Sequence, residues 1–135
     1  DNALALAMID APSQELFTHI DPVMMRGSER RAIAKYFARN HGKVVKTTPE
    51  ELQEFDTYVK ILLLKAEERY ADWNENDRYF EAARLIRQIE NEYKKQKQLE
   101  LVTQLREAEE SGDEQAAAQL RVEVNKLIKE IARGR

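Results

Sequence analysis

The sequence predicts an all-α fold: an N-terminal helical bundle joined by a long helix to a C-terminal antiparallel two-helix hairpin. Three observations point there. Charged residues make up 35% of the chain and apolar ones 42%, a balance that suits helix-rich soluble proteins rather than disordered ones. Only four glycines and three prolines interrupt 135 residues, so turns are few and helices long. The stretch from Leu99 to Ile131 sets two helical runs around the small polar break Ser111-Gly112-Asp113. Gly112 suits a left-handed helix end and Asp113 suits the next N-cap, so the chain must fold back on itself there.

The remaining elements follow in order. Residues 2–9 (NALALAMI) read as a buried helix, ended by Pro12, which can start the next one. Leu16, Phe17 and Ile20 supply apolar groups to a second short helix, and Pro22–Met25 to one further turn. Ser28 is the expected N-cap of a helix through Arg39 that carries Ile33, Tyr36 and Phe37 at helical spacing, closed by Asn40-His41-Gly42. KVVKT (43–47) leans toward β-structure but has no partner strand, and reads as a loop. Thr48-Pro49-Glu50-Glu51 is a helix start with Thr48 as N-cap. The helix it opens runs to about Trp73, with a wide stripe of Leu52, Phe55, Tyr58, Val59, Leu62, Leu63, Ala66 and Tyr70. Trp73 is expected to plug the core.

From about Asp77 to Ser111 one helix of roughly 34 residues would span ~50 Å, too long to bury in so small a domain. Its polar run Lys94–Gln98 marks the exit from the bundle, dividing the chain into a bundle over 1–95 and a hairpin over 96–135. Leu101, Leu105 and Ala108 offer a narrow seam to Ala117, Leu120, Val124, Leu127 and Ile131, spaced as in coiled coils. Val122 and Ile128 fall off that seam. Five seam residues, each worth ~1.5–3 kcal/mol when buried, must offset a backbone ordering cost of ~1–2 kcal/mol per residue. Such a hairpin is marginal by itself, and docking on a partner would complete it.

Composition excludes several chemistries. With no cysteine there are no disulfides or thiolate metal sites, which fits a cytoplasmic location. No apolar run approaches the ~20 residues of a membrane span. Phosphate-loop, dinucleotide-binding and zinc-protease motifs are missing, and the two histidines, His19 and His41, are too isolated to hold a metal. Asp72–Asp77 imitates a calcium loop, but Asp77 stands where the loop needs Gly and Ala83 where it needs Glu. The reading is of a non-catalytic fragment with no cofactor and no metal. The chain opens in mid-pattern at Asp1, so it is expected to be a piece of a longer protein. Net charge is only −3, yet Pro22–Lys46 holds seven basic residues against Glu29 alone. Within it, Arg26, Arg30, Arg31, Lys35 and Arg39 form a candidate secondary surface for an anion or a partner. From Glu50 to Asp77 acids outnumber Lys60, Lys65 and Arg69, and the two stretches can face each other across the fold.

The order of these features resembles a known family. Leu101, then Leu105–Glu109, the Gly112-Asp113 turn and Asn125–Ile131 resemble the terminal hairpin of the C-terminal helicase-binding domain of bacterial DnaG-type DNA primases. The opening LALAMIDAPSQELF and the stretch ERYADWNENDRYFEAARLIRQIENEY resemble that domain's start and its approach to the long connecting helix; Ser28–Thr48 carries the least likeness. The resemblance implies a domain that docks on the N-terminal collar of the hexameric replicative DNA helicase and recruits primase for primer synthesis, with the nucleotidyltransferase and zinc-binding parts elsewhere in the parent protein. On this reading the hairpin binds through Leu120, Val124, Leu127, Ile128, Lys129, Glu130 and Ile131, and the basic surface makes a second contact with helicase, DNA or the acidic tail of a single-strand-binding protein. Three alternatives stay open. One is the N-terminal domain of the helicase itself, which shares the helical plan; a hairpin followed only by Arg133-Gly134-Arg135 favours primase. The second is a nucleic-acid-binding helical domain that uses the basic stretch. The third is an unrelated coiled-coil adaptor.

Overall fold

The computed structural model describes residues 1–133 and is all-helical, with no strand among them. Gly134 and Arg135, expected to trail the last helix, lie outside the described residues. Six α-helices occur among the described residues: α1 (Asn2–Ile9), α2 (Ala11–Gln14), α3 (Ser28–Arg39), α4 (Asp56–Tyr70), α5 (Glu75–Ser111) and α6 (Glu114–Arg133). Short 3-10 segments at Glu15–Thr18, Pro22–Met24 and Glu50–Phe55 fill the gaps between them. The chain divides into two compact units, Asp1–Ile89 and Glu90–Arg135, so the boundary falls inside α5 and ahead of the polar run that was expected to mark it.

In the first unit α1 is the central element. Ala3 to Met8 are all buried, as befits a helix apolar on every side. It packs chiefly against α4 and also against α3. Phe17, Ile33, Phe37, Leu52, Val59, Leu62, Ala66 and Ile86 close the core around it, with the Phe17 and Phe37 rings 5.6 Å apart. The stripe read from α4 is therefore the face that is buried. Asp1 anchors the start of α1, accepting hydrogen bonds from Arg30 Nε at 2.7 Å and from the Tyr58 hydroxyl.

Local details depart from the sequence reading at three places. Gly27, not Ser28, is the N-cap of α3: with φ +86° it adopts a backbone closed to most residues, and its carbonyl accepts the first helical bond from Arg31. Thr48 does not cap α4. Pro49 holds extended backbone (ψ 150°), the next six residues wind as a 3-10 helix, and α-geometry begins only at Asp56. Trp73 is not a core plug. Helix α4 ends at Tyr70, which fills the space beside Leu6 and Ala82, and the turn that follows leaves Trp73 38% exposed.

In the second unit α5 ends at Ser111, Gly112 takes φ +78°, and Asp113 Oδ1 accepts from the Ala116 N–H at 3.1 Å. This is the left-handed helix end and side-chain cap expected of Gly-Asp.

Candidate functional site

The residues expected to meet a partner lie in the second unit, and its geometry sorts them. Leu101 and Ala108 on α5 and Ala117, Val124 and Ile131 on α6 are buried, while Leu105, Leu120 and Leu127 are half-buried. Arg121 on α6 reaches Glu109 on α5, with Nη2 and Oε1 3.1 Å apart. Val124 and Ile131 are thus withdrawn from the surface, and much of Leu120 and Leu127 with them. Of the seven candidate residues, Ile128 and Lys129 are exposed and Glu130 is half-exposed. At ~100° per residue, Ile128 sits on one flank of the seam, on the same side as Arg121, and Val122 lies on the face opposite it. The outer surface accordingly carries three large apolar groups: Leu99 (69% exposed), Val122 (68%) and Ile128 (44%).

The basic surface belongs to the first unit, and it divides. Arg30 is engaged with Asp1, and Arg31 Nε donates to the Met25 carbonyl at 3.0 Å. Both guanidiniums hold the N-terminal segments against α3. Arg26, Lys35 and Arg39 are exposed. Arg31, Lys35 and Arg39 recur every four residues and so follow one another along α3. The partner of Arg30 is Asp1 rather than an acid of the 50–77 stretch. Across that divide Asn40 donates to Glu51 at 3.4 Å, and burial followed by the nearby Glu51 charge pushes the Tyr36 hydroxyl above its ordinary pKa. Lys60, 2.8 Å from Asp56, holds that carboxyl below the usual range at the start of α4.

The structure also places residues that the sequence reading passed over. Gln14 is fully buried; its amide donates to the carbonyls of Ala7 (2.9 Å) and Lys43 (2.6 Å) and accepts from the Gly42 N–H (2.8 Å). It ties the 42–45 loop to α1, assisted by the Val45 N–H donating to Met8 at 2.7 Å. Buried Asp10 caps α2, accepting from the N–H and hydroxyl of Ser13. Asp-x-x-Ser ahead of Gln is the signal that could have revealed the cap; nothing local marks the longer reach of Gln14.

Among the described residues no cluster of His, Asp and Glu is arranged to hold a metal ion. His41 and Glu15 stand 4.0 Å apart at the surface. No described helix is long and apolar enough to cross a membrane. No protein-family model, curated protein or solved structure matches the chain.

Proposed function

We propose that the chain is a protein-recruitment domain, the helicase-binding domain of a bacterial DNA primase acting in the cytoplasm. On this reading the first unit is a helical bundle. The second is an antiparallel hairpin that docks on the N-terminal collar of the hexameric replicative helicase. Its role in DNA replication is to hold the primer-synthesising part of the parent protein at the fork, with no catalytic step of its own.

The observation that carries the reading is the second unit's division of its apolar groups. Its seam is short and leaves Leu99, Val122 and Ile128 outside. Covering the part of each side chain that is still exposed contributes ~1–2 kcal/mol. The family resemblance of the two ends of the chain supplies the identity of that partner. Because Val124 and Ile131 are buried, the docking face narrows to Ile128, with Leu120 and Leu127 touching at their half-exposed edges; at ~100° per residue Lys129 and Glu130 point away from it on other sides of α6.

Size-exclusion chromatography of the intact chain with the purified replicative helicase tests the reading. Co-elution with the hexamer is the expected result; separate elution at micromolar concentrations of both contradicts it.

A further inference from the structure

An open cleft of about 630 Å³ lies at the turn between α4 and α5, wholly within the first unit, lined by Trp73, Phe80, Asp72, Asp77, Glu81 and Arg84 among others. Both of its aromatic rings reach the surface, Phe80 at 70% exposure and Trp73 at 38%. Internal packing accounts for part of Trp73 and for little of Phe80. Trp73 meets the Tyr70 ring edge-on at 4.9 Å, and Phe80 meets Tyr79 at 6.3 Å, a loose contact between two side chains that are both at the surface. Tyr70 itself fills the core beneath the turn. The position of the turn is secured without either ring. Asn74 Oδ1 accepts from the Asp77 N–H at 2.8 Å to cap α5, and Arg78 Nε donates to the Tyr70 carbonyl at 2.9 Å at the end of α4.

The lining carries three carboxylates against one guanidinium, with the Arg78 guanidinium outside it, held on the Tyr70 and Ala71 carbonyls. Arg84 is the one cation of the lining and is paired with Glu81. Asn74 donates to one oxygen of Asp77, which orients that carboxylate without neutralising it. Asp72 adds a further exposed carboxylate. Aromatic faces carry negative quadrupole density and attract ammonium and guanidinium groups, whose aliphatic stems also pack on apolar surface. Two exposed rings beside unneutralised carboxylates therefore suit a cationic side chain and repel phosphate or an acidic segment.

We infer that the Trp73–Phe80 cleft docks an arginine- or lysine-bearing segment of a partner protein. The inference is independent of the helicase reading, which rests on the second unit and leaves this cleft unused. It also gives the first unit a surface opposite in charge to the Arg31–Lys35–Arg39 row.

Trp73 is the single tryptophan of the chain, so its emission reports directly on the cleft. The test titrates a capped Arg-Leu-Arg-Leu-Arg peptide into the intact chain, with capped Glu-Leu-Glu-Leu-Glu and a single-stranded oligonucleotide as competing probes. A saturable change in Trp73 emission is expected with the basic peptide alone. Phe80→Ala and Asp72→Asn should each weaken it about two- to fivefold, the scale of losing one exposed cation–π or charge contact. Both residues are exposed, so an unchanged thermal melt verifies that each variant is folded. Absence of a saturable change with the basic peptide overturns the inference. So does a response that both variants retain in full, or one that the acidic peptide or the oligonucleotide produces instead.

Discussion

Gln14 fastens three backbone groups from two separate segments while having no exposure of its own. Replacing it with Ala leaves buried or half-buried donors and acceptors without partners, a loss of about 1–3 kcal/mol. A lower denaturant midpoint for Gln14→Ala, with an unchanged slope, is the expected outcome. Asp56 gives a pH-dependent counterpart. Its folded pKa is held down by Lys60, so its contribution is fully present above the ordinary carboxylate pKa and is lost as pH falls through the lower, folded value. Asp56→Asn should therefore narrow the stability gap between neutral and strongly acidic pH, and acid titrations followed by circular dichroism would show it. Neither contact was legible beforehand. Gln14 bonds residues 28 and 29 positions away, and no local pattern encodes that reach. By contrast the Gly112-Asp113 turn was legible, because a glycine with positive φ followed by a capping Asp is a property of adjacent residues.

Helices are the scale at which the sequence speaks most clearly. The stripes of α4 and α6 were visible because burial recurs with the period of the helix. What periodicity does not reveal is how a helix begins under tertiary constraint. The 3-10 winding over Glu50–Phe55 and the Gly27 cap of α3 are set by where the preceding loops must arrive. Trp73 illustrates the same limit: a large aromatic beside a core stripe reads as core, and a helix ending at Tyr70 leaves it at the surface. In the second unit seam and surface can be separated by experiment. Ile131→Ala removes a buried side chain and should cost about 2–5 kcal/mol. Ile128→Ala should stay within about 0.5 kcal/mol, as for an ordinary surface substitution. Gly112→Ala meets no atom within 4 Å but forces an alanine to φ +78°, a cost of about 1–2 kcal/mol. Amide hydrogen exchange across Glu90–Arg133 would rank the three: strong deprotection for Ile131→Ala, intermediate for Gly112→Ala, little for Ile128→Ala.

The whole molecule joins two compact units through one continuous helix, α5. The first holds the large core, and its α3 arginines are partly spent on holding the N-terminal segments. The second buries fewer large side chains and leaves Leu99, Val122 and Ile128 exposed, as the first leaves Ile61, Leu64 and Phe80. On the proposed recruitment role, the exposed apolar groups of the second unit are the ones that gain by being covered. Calorimetric titration of the intact chain into the replicative helicase, repeated with Ile128→Asp, tests the claim most directly. The account expects saturable heat from the intact chain, and its loss in a variant whose helical content and melting temperature are unchanged. Absence of binding by the folded intact chain, or equal binding by Ile128→Asp, would contradict it.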